Sequence, residues 1–256
     1  MIHATAIVDK TAKLGENVSI GPYSIIGPNV EIGSGTEIGP HVVIYGPTCI
    51  GEQNKIFQFS SIGEAPQDKK YNGEPTKLIV GDRNVIREYV TFNRGTVGGI
   101  GETVIGSDNL FMAYVHIAHD CIIGNHTVFS NAASLCGHVE VGDYAILGGF
   151  TLVHQFTQIG GKSLCGLGSV VVQDIPPFST AAGNRARTIG INKEGLRRKG
   201  FSEDLILALH KSYRTIFKSK VTKAIALEKL QPLCDEYPEV LEFVKFIQNS
   251  KRGVAQ

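Results

Sequence analysis

The sequence predicts a left-handed parallel β-helix, a triangular prism of hexapeptide repeats, followed by a small α-helical C-terminal domain. An aliphatic residue recurs at every sixth position from Ile2 to Ile62, and seven of these eleven residues are followed directly by glycine. A period of six suits neither an α-helix nor an alternating strand, and it is typical of a β-helix whose recurring side chain points inward. Three hexads would form one coil of about 18 residues. After residue 200 the period changes to that of amphipathic helices.

The predicted prism spans residues 1–190 and contains two interruptions. Residues 64–77 are charged and contain two prolines, and residues 93–103 are rich in glycine. The hexad pattern continues in phase after the first interruption and slips once at the second. We expect both segments to be loops that leave the prism, where function is often carried. The repeat is expected to stop at residues 173–177, because proline cannot donate to a sheet.

Residues 191–256 carry the signals of a small helical domain. Ser202 is a predicted N-cap ahead of two acidic residues, and a second helix is expected from about Thr222 to Cys234. Pro238 is placed to open a third helix. The simplest role for this domain is to cover the open end of the solenoid.

A basic segment joins the two predicted parts. From Arg185 to Lys199, six cations accompany a single anion, Glu194. This surplus indicates an anionic ligand, such as a pyrophosphate or an acidic protein, and a solvated connector is the alternative. Nucleic acid is disfavoured because no aromatic residues interleave with the cations.

The composition of the 256 residues limits the classes of function. Lys and Arg number 25 against 24 Asp and Glu, whereas a general nucleic-acid binder needs surplus positive charge. No apolar run approaches the roughly 18 residues of a membrane span, and no signal peptide is visible, so we expect a cytoplasmic protein. Five widely spaced cysteines give neither a disulfide framework nor a cysteine zinc site. The P-loop, the dinucleotide fingerprint and the nucleophile elbow are absent from the sequence.

Five of the eight histidines lie between residues 116 and 154. With about 18 residues per coil, His119 would lie below Gly137 and Asp120 below His138. A histidine suits general-base work at neutral pH, Asp120 could orient it, and the Gly137 N–H could donate to a developing oxyanion. This set fits acyl transfer to a hydroxyl without a protein nucleophile.

Two other interpretations of these histidines stay open. Taken alone, each is a solvated residue of the prism surface, and for His126 we expect no neighbouring carboxylate. Metal binding is the rival use of clustered histidines. Their spacing includes no H-x4-H pair, so we expect no metal site.

Five short motifs occur together: HIAHDC at residues 116–121, QDKKY at 67–71, VHQF at 153–156, QDIPP at 173–177 and GLRRKGFS at 195–202. Together they resemble the acyl-carrier-protein–UDP-N-acetylglucosamine O-acyltransferases, which start lipid A synthesis. The resemblance covers essentially the whole chain, including both loops and the helical tail. Unlike the hexapeptide repeat, which several activities share, these motifs are specific.

The resemblance implies a reaction that moves a 3-hydroxyacyl chain from the carrier-protein thioester to the glucosamine 3-hydroxyl. It implies that His119 is the general base, Asp120 its partner and Gly137 the oxyanion donor. The positions it places around the sugar and acyl pocket are Gln67, Asp68, Lys70, His116, His138, His154 and Gln155. The positions it places near the nucleotide are Asn192, Glu194 and Arg198, with Arg197 in the same basic segment facing the acidic carrier.

The resemblance also implies a homotrimer with sites between subunits, and no cofactor, because the donor is the phosphopantetheine thioester of acyl carrier protein. Leu167 occupies the position of an acyl-chain ruler, so we expect a chain nearer about ten carbons than about fourteen. An acetyltransferase that uses acetyl-CoA on a sugar nucleotide is the alternative enzyme. A 3-amine acceptor also stays open, although His116 and Gln67 favour the hydroxyl.

Overall fold

The structure is a computed structural model that describes residues 1–219 and 222–256. Within these residues the chain forms 27 short strands followed by four helices. The strands of the first half of the column are β1 (Ile7–Val8), β2 (Lys13–Leu14), β3 (Ser19–Ile20), β4 (Ile25–Ile26), β5 (Val30–Ile32), β6 (Glu37–Ile38), β7 (Val43–Ile44), β8 (Thr48–Ile50), β9 (Lys55–Ile56), β10 (Ser61–Glu64), β11 (Lys77–Val80), β12 (Val85–Ile86) and β13 (Thr91–Asn93). Those of the second half are β14 (Glu102–Ile105), β15 (Leu110–Phe111), β16 (His116–Ile117), β17 (Ile122–Ile123), β18 (Val128–Phe129), β19 (Ser134–Leu135), β20 (Glu140–Val141), β21 (Ile146–Leu147), β22 (Leu152–Val153), β23 (Gln158–Ile159), β24 (Leu164–Cys165), β25 (Val170–Val171), β26 (Ser179–Ala182) and β27 (Arg187–Ile191).

Every third strand joins the same sheet, which produces the predicted three-sided column. Across the described residues, the three sheets contain nine, eight and ten strands, and neighbours are parallel except for the final β26–β27 pair. Residues 18 apart are paired, as in Ile7 with Ile25 and Val8 with Ile26. The recurring aliphatic residue points inward, so Ile26, Ile44 and their equivalents form one continuous core. The hexad pattern therefore predicted both the fold and its register.

Both predicted loops leave the column at one corner, between the first and second sheets. The loop from β10 to β11 spans 65–76 and the loop from β13 to β14 spans 94–101, because the strands extend further than the sequence indicated. The two loops lie side by side, since Gly95 N donates to Lys77 O at 3.0 Å and Lys77 N donates to Gly101 O at 3.0 Å. In the coils above them, the same corner contains the turns at 118–121, 136–139 and 154–157. We call this edge the site corner.

The end of the column differs from the sequence prediction in one respect. The repeat does not stop at residues 173–177, because β26 pairs in parallel with β24 beyond the two prolines. The prolines lie in the connection between strands, where no sheet hydrogen bond is required. The basic segment is not a plain connector either, since it contains β27 and the helix α1 (Lys193–Arg198).

Three further helices, α2 (Glu203–Phe217), α3 (Lys223–Glu236) and α4 (Pro238–Asn249), follow the column. The predicted N-cap of α2 is confirmed: the Ser202 hydroxyl accepts from Leu205 N at 3.2 Å. Pro238 opens α4 as expected. These helices pack on the last strands around a second apolar cluster that includes Leu209 and Phe243. No helix in the described part of the chain is long and apolar enough to cross a membrane.

Candidate active site

The site corner stacks several of the predicted site residues one coil above another. His138 N donates to His119 O at 3.0 Å, and Phe156 N donates to Gly137 O at 3.2 Å. The predicted vertical order, in which Gly137 lies above His119 and His138 above Asp120, is therefore confirmed. The His119 and His138 rings contact each other edge to face, with centroids 5.1 Å apart.

His119 and Asp120 form a hydrogen-bonded pair. His119 Nδ1 lies 2.8 Å from Asp120 Oδ2. The Asp120 side chain is fully buried, whereas 16% of the His119 side chain is exposed. The imidazole is thus open to a ligand on one side and held by a buried acceptor on the other.

The loop at 94–101 holds the Asp120 carboxylate. Thr96 Oγ1 donates to Oδ2 at 2.6 Å, and the backbone N–H groups of Thr96 and Ile100 donate to Oδ1 at 3.0 and 3.1 Å. Burial opposes ionisation, but the Thr96 bonds, the His119 bond and nearby His138 hold the pKa of Asp120 below its usual range. Asp120 is therefore a carboxylate that accepts hydrogen bonds and donates none.

This state of Asp120 decides the tautomer of His119. A carboxylate has no proton to donate, so the proton of the 2.8 Å bond lies on His119 Nδ1. In neutral His119, Nε2 is then unprotonated, and it has no hydrogen-bond partner within residues 1–219 and 222–256. An unprotonated and unpartnered ring nitrogen can accept a proton from a ligand.

Gly137 is required by the position of the His119 ring. A Cβ at residue 137 would lie 2.5 Å from His119 Cε1 and 2.8 Å from Nε2, closer than side chains approach. The Gly137 N–H has no acceptor in the described part of the chain. It is therefore available to a ligand beside His119.

A groove of about 550 Å³ opens beside His119. Five of the predicted residues line it together with Gly137: Gln67, His116, His119, His154 and Gln155. His116 Nδ1 is bonded to Thr91 Oγ1 at 2.7 Å. Burial, and then the nearby His119, lower the pKa of His116, so its neutral form is favoured. The rest of the lining includes Leu135, Leu152, Val153, Val170 and Val171, and is mainly apolar.

The remaining predicted residues lie at the edges of this groove or beyond it. His138 faces a neighbouring groove and stacks on Phe156 at 4.4 Å. Burial lowers its pKa, and the carboxylates of Asp120 and Asp68 offset part of that effect. Lys70 is exposed, and its N–H donates to Asp68 Oδ1 at 3.0 Å.

The α1 residues do not line the groove of this chain. Asn192 caps α1 by accepting from Gly195 N at 3.2 Å. Glu194 pairs with Arg198 at 3.1 Å, and Arg197 pairs with Glu203 at 2.6 Å. Part of the predicted cationic surplus is therefore neutralised within the chain.

Leu167, the expected ruler, also lies outside the groove of this chain, with 78% of its surface exposed. Its side chain lies over Gly149 of the coil below, where an added Cβ would be 3.2 Å from Leu167 Cδ1.

His119, Asp120 and His138 also have the composition of a metal site, with potential ligand atoms within 4.8 Å of one another. The carboxylate does not fit that role well. A carboxylate has about four lone-pair sites, and the donors from Thr96, Ile100 and His119 occupy them. A metal would have to displace these bonds, so the arrangement favours a hydrogen-bonded acid–base pair.

Sequence reasoning missed the residues that support the site. Thr96 lies 24 positions from Asp120, inside a segment that the sequence marked only as a loop. Gly99 packs against the same carboxylate, because a Cβ added at residue 99 would lie only 2.3 Å from Asp120 Cγ. The expectation for His126 was wrong, because its Nε2 lies 3.9 Å from Asp108 Oδ2. Asp108 lies 18 residues earlier, one coil below, so the stacking rule could have found it.

Comparisons with known proteins show the family of this chain. The family model described as Udp N-acetylglucosamine O-acyltransferase, Domain 2, matches residues 174–255, and a bacterial transferase hexapeptide model matches residues 11–46 and 102–133. The acyl-[acyl-carrier-protein]–UDP-N-acetylglucosamine O-acyltransferase of Thiobacillus denitrificans is 57% identical over 99% of this chain and 98% of its own length. The chain belongs to this acyltransferase family.

Among solved structures, LpxA from Acinetobacter baumannii has a TM-score of 0.97 at 45% identity, covering 100% of this chain and 99% of its own. The Moraxella catarrhalis enzyme has a TM-score of 0.96 at 46% identity, with coverage of 100% and 99%. The chain is therefore an acyltransferase, and the expected hexapeptide fold is that of its family.

Proposed function

We propose that this enzyme moves a 3-hydroxyacyl chain from acyl carrier protein to the 3-hydroxyl of UDP-N-acetylglucosamine, a step of lipid A synthesis, with His119 as general base. The names of the relatives support the donor and the acceptor. The observation that carries the role of His119 is its hydrogen bond to the Asp120 carboxylate, which leaves Nε2 unprotonated beside the groove.

The proposed reaction uses three groups of the site corner. His119 Nε2 takes the proton of the sugar 3-hydroxyl, whose oxygen attacks the thioester carbonyl carbon. The carbonyl oxygen becomes an oxyanion, to which the Gly137 N–H donates. When the intermediate collapses, the C–S bond breaks and the phosphopantetheine sulfur receives the proton from the His119 imidazolium. Asp120 stabilises the imidazolium and holds its orientation.

The groove suits an acyl chain beside a polar acceptor. Its volume of about 550 Å³ lies within the range of about 300–1,000 Å³ that ligand sites occupy. Leu152 and Val170 offer apolar surface, while His116 and Gln67 offer polar groups at the same groove. No further cofactor enters this proposal, because the donor brings its own thioester.

We also propose a homotrimer in the cytoplasm with the site between subunits. The α1 residues and Leu167 lie outside the groove of a single chain, and a neighbouring subunit would bring such residues to it. Measuring the mass in solution tests this: three chains of 27.6 kDa are expected, and a monomer at working concentration would contradict it.

A turnover assay tests the reaction itself. The purified protein is incubated with UDP-N-acetylglucosamine and either a 3-hydroxyacyl carrier protein or acetyl-CoA. We expect equal amounts of free carrier thiol and acylated sugar nucleotide with the first donor, and no product with acetyl-CoA. Acetyl transfer would support the alternative acetyltransferase, and faster reaction of an acceptor with a 3-amine would contradict the proposed hydroxyl.

Chain length is tested with a series of carriers. We propose that Leu167 shortens the groove at an interface, so that a donor of about ten carbons is preferred over one of about fourteen. Leu167→Gly is expected to improve turnover of the longer donor. Equal or greater turnover of the longer donor by the unsubstituted enzyme would refute this assignment.

A further inference from the structure

The last residues of the chain fold back onto the column and bring an arginine to the site corner. Ser250, directly after α4, donates from its hydroxyl to Asp174 Oδ2 at 2.6 Å. Beyond it, Asp174 N donates to Gly253 O at 2.9 Å, and Ala255 N donates to Asp174 O at 2.9 Å. The tail is thus fixed to the last coil on both sides of Arg252.

The Arg252 guanidinium makes two short hydrogen bonds. Its Nε donates to Val172 O at 2.7 Å, and its Nη2 lies 2.7 Å from His154 Nδ1. Two contacts on different atoms fix the plane of the guanidinium. Arg252 lines the neighbouring groove, the one that His138 faces. From there it contacts His154, which lines the groove beside His119.

This contact determines where His154 carries its proton. A guanidinium only donates hydrogen bonds and keeps its protons at any pH that a protein tolerates. His154 Nδ1 must therefore be the acceptor, although Gln155 O, at 3.1 Å, would favour a proton on the same nitrogen. Neutral His154 then carries its proton on Nε2, which has no partner in the described part of the chain.

We propose that Arg252 is a positioning residue that fixes His154 as an Nε2–H donor to a carbonyl or hydroxyl oxygen of the bound substrate. The inference rests on the proposed function, because it takes the groove beside His119 as the substrate site. The two histidines that line this groove then have opposite tautomers. Asp120 makes His119 Nε2 an acceptor, and Arg252 makes His154 Nε2 a donor. The groove thereby contains two imidazoles with different functions: His119 accepts a proton and His154 donates a hydrogen bond.

The tautomer is measured directly by NMR of protein labelled with ¹⁵N-histidine, with the His154 signals assigned from His154→Gln. We expect the unsubstituted protein to show the Nε2–H form, and Arg252→Met to show a larger share of the Nδ1–H form. An Nδ1–H tautomer in the unsubstituted protein would overturn the proposal. Because this readout does not depend on turnover, it stays informative even if the proposed reaction is wrong.

Kinetics then test whether the tautomer matters. Arg252→Met is expected to lower kcat/KM by about 10- to 100-fold, the loss seen when a metal-bound histidine loses the partner that orients it. Arg252→Lys, which still donates to Nδ1, should retain more activity. Lys251→Met is the matched control, since Lys251 belongs to the same tail and has no hydrogen bond or ion pair within residues 1–219 and 222–256.

A double substitution separates positioning from a general loss of structure. If Arg252 acts through His154, Arg252→Met should have little further effect on kcat/KM in a His154→Gln background. Thermal unfolding of each variant shows whether the tail remains attached. Equal and additive losses in both backgrounds, or unchanged kcat/KM in Arg252→Met, would overturn the proposal.

Discussion

Gly137→Ala is the most informative small change at the site, because the geometry predicts how large its effect on the rate should be. The added Cβ would lie 2.5 Å from His119 Cε1, whereas ordinary contacts begin at 3.4 Å. The ring must therefore move by about 1 Å, and it cannot do so without stretching its 2.8 Å bond to Asp120. A displacement of this size at a reacting group costs about 10²-fold in rate, or about 2.7 kcal/mol of transition-state stabilisation.

The expected result is a fall of about 10²-fold in kcat/KM for acyl transfer from the carrier protein, with little change in the melting temperature. The fold should be preserved because Gly137 does not have a positive φ. Gly190→Ala is the matched control, since a Cβ there meets nothing within 4 Å. A Gly137→Ala enzyme within about twofold of the unsubstituted rate would refute the argument that ring position controls the chemistry.

Three further predictions concern the groups around the site and the helical domain. Asp120→Asn should lower kcat/KM by about 10²- to 10⁴-fold, because an amide no longer fixes the His119 tautomer, and a loss under about tenfold would contradict this. The pKa of His116 is lowered in the folded state, whereas the unfolded chain keeps the ordinary value of about 6.5. The contribution of His116 to stability is therefore complete above about pH 6.5 and is lost as the pH falls through the lowered folded-state pKa. When the pH is lowered from about 7.5 to about 5, the melting temperature of His116→Gln should therefore fall less than that of the unsubstituted protein. An equal or larger fall would contradict the assignment. Ser202→Ala should cost about 1 kcal/mol in urea unfolding by removing the α2 cap while sparing turnover, and an unchanged unfolding midpoint would count against the cap.

The column was predictable because its information is local and repeated. An aliphatic residue at every sixth position fixes the inward face, and the 18-residue coil follows from three such hexads. That rule predicts Gly137 above His119, and the observed pairing of His116 with Ser134 has the same register. The helices that begin after Ser202 and at Pro238 were predictable for a similar reason, since capping residues act within one turn.

The supporting contacts of the site were not predictable, because they join distant parts of the chain. Thr96 reaches Asp120 across 24 positions, and Arg252 reaches His154 across 98. Neither residue belongs to a repeat, and a loop or tail can take many paths over a surface. The strand beyond the prolines was missed because β26 pairs with β24 without using the proline nitrogens.

The central claim is that His119 removes the proton from the acceptor hydroxyl. The most direct measurement is single-turnover acyl transfer by His119→Ala, with gel filtration and circular dichroism to confirm an intact assembly. General-base catalysis contributes about 10²- to 10⁴-fold, so we expect a loss in that range. An alanine variant that transfers the acyl chain within about threefold of the unsubstituted enzyme would contradict it.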